Sequence, residues 1–590
     1  MLRFAGVALV ALVACHREPP PPPPPAPPTA ASAPAVDTPK PEAKPIYRGE
    51  KDVHFDPALS SVGKTYMVVS EGPLATQVGH DILADGGNAA DAAVATAFAL
   101  AVVHPTAGNL AGGGFAIIRT APGQATALDF RETAPAAATS DMFVKGGKKT
   151  NESVAGDKAV GVPGSVAGLY ALHKKYGKKP WADVVAPAIK LAREGFAVDQ
   201  KLHEAIVRRA VFLVGNEATG AIWVPNRMPV KVGATVYNPS LADTLERIQN
   251  DGPDGFYKGQ TAADLVKEMQ AHGGLITAAD LAGYQPVWRD VLRFHYRDYV
   301  ITAMPPPSSG GVAMAMVAGI LEHVELGKLP WYGAEHVHWL AETWRRAFAA
   351  RNEILGDPSF VKDMPLDKLV SSDYAAKLYA TITPKATPST EIPGLIEGNH
   401  TTNLCVVDAD GMAIAMTTTL NLSWGNGVTV DGFLLNNEMD DFAAQPGQPN
   451  TFGLVQGTAN RVEPGKRMLS SMSPSIVESA KGDLVMLAGA GGGPRIITAV
   501  WQTISNVIDF GKGAAQAVDE PRVHHQHLPD TLYVESLSID GPTETDLRAR
   551  GYKLDWGSDY FGSVTAIVRT KGGGWEGAAD PRGGGKAQGD

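Results

Sequence analysis

After Thr401-Thr402-Asn403 the chain runs Leu404-Cys405-Val406-Val407, turns at Asp408-Ala409-Asp410-Gly411, and continues from Met412 to Thr417. Two mostly apolar runs of strand length around an Asp-Gly signal predict a β-hairpin with Thr401 at the mouth of its first strand. Other segments carry comparable periods. Residues 91–103 are Ala-rich and apolar enough for a buried helix, with Gly86-Gly87-Asn88 before it and His104-Pro105 to stop it. Residues 115–119 and 125–130 read as strands; a glycine loop over 109–114 leads into the first, and the second delivers Arg131-Glu132. Helical patterns fill Ser165–Tyr176, Trp181–Glu194, 241–250 and 312–325, the last behind a Pro-Ser-Gly turn at 304–311. Later, 484–487 reads as a strand, 489–493 as a glycine loop and 496–508 as an apolar helix.

The N-terminus is built differently. Arg3 and the apolar stretch 4–14 predict a signal peptide over 1–14, too short to span a bilayer. Leu12-Val13-Ala14-Cys15 resembles the bacterial lipobox, which implies a lipid on Cys15. The following segment to residue 50 is dominated by Pro and Ala, with an unbroken proline run over 19–25. Such a stretch favours polyproline II at about 3.1 Å per residue and acts as a semi-rigid spacer. His16 in place of an aspartate implies, by resemblance to envelope sorting rules, a periplasmic site on the outer membrane. The expected location is the bacterial cell envelope, with the membrane reached through the lipid anchor alone.

Composition narrows the rest. The chain has 590 residues, 44% of them hydrophobic, and a formal charge of −10, enough for large cores and without the basic cluster that nucleic acid requires. Two cysteines, Cys15 and Cys405, exclude a disulfide framework, and Cys405 reads as a small buried hydrophobe. Several short motifs lack their companions. Ser61-Val62-Gly63-Lys64 has no S-D-N or K-T-G partner, and Gly489 to Gly493 lacks the Lys-Ser/Thr of a P-loop. His524-His525-Gln526-His527 has no ligand spacing around it, nor do His336 and His338 form H-E-x-x-H, so no metal and no cofactor is expected.

The chemistry concentrates after Thr401. Asn436-Asn437-Glu438-Met439-Asp440-Asp441 sets polar groups beside an apolar run, and Ser470-Ser471-Met472-Ser473-Pro474 sets paired hydroxyls before a strand. With Thr401-Thr402, Asp129-Phe130-Arg131-Glu132, the Pro306 to Gly311 turn, the glycine loop and Asp580-Pro581-Arg582, these segments resemble γ-glutamyltranspeptidases in kind and order, from about residue 52 to residue 582. The resemblance implies an α/β (α+β) chain folded as a four-layer αββα N-terminal-nucleophile hydrolase. It also implies a precursor cut between His400 and Thr401, giving a large subunit of 51–400 and a small subunit of 401–590.

Residue roles follow from that resemblance. A threonine hydroxyl needs a base, and the α-amine of a newly exposed Thr401, with a reference pKa near about 8, supplies one. Thr419 assists Thr401, and the N–H groups of Gly492 and Gly493 form the oxyanion hole. Arg131, Ser470 and Ser471 take the substrate's α-carboxylate; Asn421, Glu438 and Asp441 take its α-ammonium. The implied reaction cleaves γ-glutamyl amides such as glutathione through an ester on Thr401, with transfer to water or to amino-acid and peptide acceptors. Residues 445–467 resemble a lid over the site, with Phe452 where many bacterial members carry tyrosine. Two alternatives stay open at this point: a glutaryl or cephalosporin acylase, whose substrates lack the ammonium, and a non-catalytic surface binding lipoprotein.

Overall fold

The hairpin expected after Thr401 forms the centre of one of two seven-stranded sheets in the computed structural model, which describes residues 47–48, 56–389, 401–557 and 561–590. The signal peptide, Cys15, the Pro-rich segment and His400 lie outside the described residues. Among those described, the sheets take seven strands before Thr401: β1 (Ser60–Gly63), β2 (Met67–Ser70), β3 (Gly113–Ala121), β4 (Gln124–Asp129), β5 (Val287–Arg289), β6 (Leu292–Tyr296) and β7 (Tyr299–Ala303). Seven follow it: β8 (Thr402–Val407), β9 (Ala413–Thr419), β10 (Ser475–Ser479), β11 (Leu484–Gly491), β12 (Ser563–Arg569), β13 (Trp575–Ala579) and β14 (Lys586–Gly589).

Every pairing in both sheets is antiparallel. One sheet runs β1-β13-β12-β11-β10-β7-β6 and the other β14-β2-β8-β9-β3-β4-β5. Each therefore interleaves strands from both sides of Thr401, so a cut there would leave two chains that share both sheets. Strands β8 and β9 face β11 and β12 across the sandwich. The helices α1 (Pro73–Ala84) and α2 (Ala89–Val103) cover the outer face of the β8–β9 sheet. Three more, α3 (Gly310–Leu321), α4 (Ala334–Ile354) and α5 (Arg495–Ile508), form the layer beyond the other sheet. The order is α, β, β, α, as the sequence implied.

Alternation along β8 shows why the strand sits between two apolar layers. Leu404 and Val406 join the cluster under α1 and α2, whereas Cys405 and Val407 join the cluster between the sheets. Such a strand, buried on both faces, reads as a continuous apolar run. Cys405 is fully buried and its thiol is pushed up to about 12 by burial, which leaves it inert. Helix α2 starts from a capping box in which Asn88 accepts from the N–H groups of Ala90 and Asp91 while Asp91 accepts from that of Asn88. The helices Ser165–Tyr176 and Trp181–Glu194 have the bounds read from sequence. Helix α3 begins and ends earlier than its pattern suggested; at its start Gly310 and Gly311 pack close to the Ser473 hydroxyl and the Met304 carbonyl, where a Cβ would clash. No helix among the described residues is long and apolar enough to cross a membrane.

Candidate active site

Thr401 stands at the head of β8, and register brings it opposite Thr419: Thr402 pairs with Thr418 in the antiparallel ladder, so the next residues out face each other. Both line one cleft. The backbone N–H of Asn421 donates to the Thr419 hydroxyl at 2.8 Å. The two neighbouring threonines serve the fold. Thr417 donates to Asn403 Oδ1 at 2.6 Å, and the Thr418 hydroxyl donates to the Gly113 carbonyl at 2.8 Å. Asn403 then donates to Thr565 Oγ1 at 2.6 Å, tying β8 to β12 across the sandwich.

Charge gathers on one wall. Arg131 leaves the end of β4 fully buried and donates through Nη1 to Glu438 and through Nη2 to Asp441. Its backbone is fixed at both ends: its N–H donates to Asp129 Oδ1 at 2.9 Å and its carbonyl accepts from the Tyr284 hydroxyl at 2.8 Å. Burial holds the Glu438 and Asp441 carboxyls above their usual range, although Arg131 pulls both down. Glu132, fully buried beside them, is pushed up to about 7, again chiefly by burial. Arginine therefore meets more carboxyl groups than one cation can neutralise.

Asn421 enters the same wall in a left-handed conformation at φ 75°, which asparagine tolerates better than most residues. Its Nδ2 donates to the Asn437 carbonyl at 2.8 Å, which fixes the amide and leaves Oδ1 as the acceptor side. Ser470 and Ser471 form the opposite lip, where Ser309 donates to the Ser470 carbonyl through both N–H (2.7 Å) and hydroxyl (2.6 Å). Phe452 and Leu454, from the stretch 445–467, also line the cleft. That stretch also grips the acidic wall, since Asn460 and Gln456 donate to the Asp441 carbonyl at 2.7 and 2.9 Å.

The glycine loop lies between the end of β11 and the start of α5. Gly492 and Gly493 take φ values of 141° and 54°, a turn that favours glycine and aims the loop at the helix N-terminus. Gly493 lines the cleft with Thr401, whereas Gly492 lies outside its lining. Away from the cleft, Asp157, Glu268 and His272 have donor atoms within 4.8 Å of one another. His272 and Glu268 already pair at 2.8 Å, one turn apart at a helix end.

The gamma-glutamyltranspeptidase family profile matches residues 75–590. The chain belongs to this family. It is 45% identical over 552 residues to a glutathione hydrolase proenzyme of Escherichia coli (strain K12), covering 92% of this chain and 94% of that one. Among solved structures it resembles a cephalosporin acylase from Bacillus halodurans, with a TM-score of 0.78, 26% identity and coverage of 92% and 99%. It also resembles the Helicobacter pylori gamma-glutamyltranspeptidase, with a TM-score of 0.54 and 41% identity over 58% of this chain and 96% of that one. These solved structures agree with the αββα sandwich.

For this gamma-glutamyltranspeptidase-family chain, the cleft gathers Thr401, Thr419, Arg131, Asn421, Glu438, Asp441, Ser470, Ser471 and Gly493 from segments far apart in sequence. Sequence reasoning gave no role to Glu132, although it stands beside Arg131, because its weight comes from burial. It also passed over Arg351, whose Nη2 donates to Ser471 Oγ at 3.2 Å. A buried arginine in the apolar stripe of α4 was the available signal. The histidines at 524, 525 and 527 are buried in the core, and His524 bonds Thr498 at 2.8 Å.

Proposed function

We propose that this protein is a self-processing γ-glutamyltransferase and glutathione hydrolase whose nucleophile is Thr401. Its family membership and the close glutathione hydrolase relative support the activity. The observation that carries the residue assignment is that Thr401 and Thr419 share one cleft with a buried Arg131–Glu438–Asp441 cluster. In the precursor, Thr401 Oγ1 attacks the carbonyl of His400; the peptide C–N bond breaks, which frees the Thr401 amine and leaves an ester on Oγ1, and water opens that ester to give the His400 carboxylate and the free Thr401 hydroxyl.

In the mature enzyme that amine takes the proton from Oγ1 as Oγ1 attacks the substrate's γ-carbonyl. The developing oxyanion meets the N–H groups of Gly492 and Gly493. Collapse breaks the amide C–N bond, the leaving amine takes the proton, and a γ-glutamyl ester remains on Thr401. Water or an acceptor amine then attacks the ester and returns the proton to Thr401.

Substrate recognition is an exchange of partners. Arg131 is held by Glu438 and Asp441. An α-amino acid head group brings one carboxylate and one ammonium, so Arg131, Ser470 and Ser471 take the first while Glu438, Asp441 and Asn421 take the second. Each buried charge keeps a counter-charge throughout, which avoids the cost of an unpaired ion. A glutaryl group offers no ammonium to the acidic wall. Turnover of γ-glutamyl-p-nitroanilide well above that of glutaryl-p-nitroanilide is expected; equal turnover would overturn the recognition scheme.

The N-terminal sequence supports a lipid on Cys15 and a periplasmic, outer-membrane-tethered enzyme. Cys15→Ser should move the protein from the membrane fraction to the soluble fraction, and an unchanged distribution would refute the anchor.

A further inference from the structure

Arg351 is a buried guanidinium held only by neutral groups. It lies on α4 with 1% of its surface exposed; Nε donates to Ser309 Oγ at 3.0 Å, Nη1 to Asn352 Oδ1 at 3.0 Å, and Nη2 to Ser471 Oγ at 3.2 Å. Among the described residues no carboxylate pairs with it, whereas Arg345 and Arg346 on the same helix both pair with Glu342. Taking a cation out of water without a counter-ion costs several kcal/mol; Asp441 acts on Arg351 through space but bonds Arg131, which leaves Arg351 able to take a further anion nearby.

The contacts say where that anion belongs. Ser309, which Arg351 holds, donates twice to the Ser470 carbonyl. One guanidinium thus fixes both serines on the lip of the cleft. The Ser471 hydroxyl accepts from Arg351, so its own proton is directed away from the guanidinium, and the cleft it lines lies on that other side. Arg131 pairs directly with Glu132, Glu438 and Asp441, and Arg351 reaches Asp441 only through space. Without a second cation, an incoming carboxylate would enter a field of net negative sign.

We propose that Arg351 is a positioning residue for the substrate's α-carboxylate: it turns the Ser471 hydroxyl into an oriented donor and supplies the second positive charge of the carboxylate side. This rests on the γ-glutamyl reading, and wild-type turnover of γ-glutamyl-p-nitroanilide tests that reading separately. Burial lowers the Arg351 pKa to about 10, so the guanidinium remains charged at neutral pH.

The test uses matured wild type, Arg351→Gln, Arg351→Lys, Ser471→Ala and the Arg351→Gln/Ser471→Ala double variant. Two substrates are compared: γ-glutamyl-p-nitroanilide and the analogue whose α-carboxylate is replaced by a neutral carboxamide. Arg351→Gln should raise KM for the first at least about tenfold with kcat within about threefold, and should shrink the preference over the carboxamide by a similar factor. Arg351→Lys should restore most of the loss, and the double variant should lose no more than the worse single one. Equal losses on both substrates, or fully additive losses in the double variant, would overturn the proposal. If Arg351→Gln does not mature, Arg351→Lys decides: a KM rise confined to the carboxylate substrate supports the assignment, and an equal loss on both defeats it.

Discussion

The carbonyl oxygen of Thr401 lies 1.7 Å from where a Cβ on Gly491 would stand, so the last residue of β11 has to be glycine for Thr401 to sit where it does. The contact is backbone against backbone, with no flexible side chain to yield. Gly491→Ala should therefore displace Thr401 rather than a peripheral group, at a cost above the roughly 1–3 kcal/mol of ordinary overpacking. The expected result is impaired self-cleavage and at least about tenfold lower kcat in any matured protein. Wild-type maturation and turnover would show that the loop moves freely around Thr401.

Asp441 is the acidic partner of Arg131 closest to solvent, with 13% of its side chain exposed against 1% for Glu438. Asp441→Asn keeps the shape and removes the charge proposed to meet the substrate ammonium. A loss of about 100-fold in kcat/KM is expected for γ-glutamyl-p-nitroanilide, the scale of breaking a buried charge pair. Glutaryl-p-nitroanilide should lose much less, so the ratio of the two rates reads out ammonium recognition directly. An equal loss on both would assign Asp441 to holding Arg131 alone.

The hairpin and the helix bounds at Ser165–Tyr176 and Trp181–Glu194 were legible because their signals are local: two apolar runs of strand length around Asp-Gly, and helical periodicity closed by Gly and Pro punctuation. That Arg131, Glu438 and Ser470 line one cleft was legible through motifs, since each stands in a recognisable run. What the sequence concealed depends on long-range packing. The pairing of β1 with β13 joins the two ends of the folded body, and no local pattern announces it. Glu132 is an ordinary acid in sequence and acquires its raised pKa only through burial in the folded protein, with a smaller push from Asp441. Arg351 looks like one more arginine of an amphipathic helix until Ser309 and Ser471 are seen against it.

Glu132 makes a pH prediction. Its carboxyl has an ordinary value of 4.5 and is pushed up to about 7 in the folded protein, so the native state holds this proton more tightly than the unfolded chain. The resulting stabilisation is full below about pH 4.5 and is lost as pH rises through about 7. Glu132→Gln, which stays neutral, should flatten the dependence of Tm on pH across that window. An unchanged slope would place the proton elsewhere in the cluster.

The lid stretch is coupled to recognition through Asn460, which donates to the Asp441 carbonyl at 2.7 Å and accepts from the Leu469 N–H at 2.9 Å. Asn460→Ala removes the acceptor of the Leu469 N–H, a cost of about 1–3 kcal/mol if buried, and leaves the Asp441 carbonyl with its bond from Gln456 alone. KM for γ-glutamyl substrates should rise while cleavage before Thr401 continues, as seen by comparing steady-state kinetics with the fragment pattern on a denaturing gel. Loss of cleavage would mean that the lid supports the nucleophile as well as the substrate.

The central claim is that Thr401 becomes the N-terminus of a separate chain and then acts as nucleophile. Intact-mass analysis and N-terminal sequencing of the purified, long-incubated protein test it most directly. The account predicts two polypeptides, the smaller spanning 401–590 and beginning Thr401-Thr402-Asn403, with a Thr401→Ala precursor remaining as a single chain. A wild-type protein that stays uncut yet turns over γ-glutamyl-p-nitroanilide, or a smaller fragment that begins elsewhere, would contradict it.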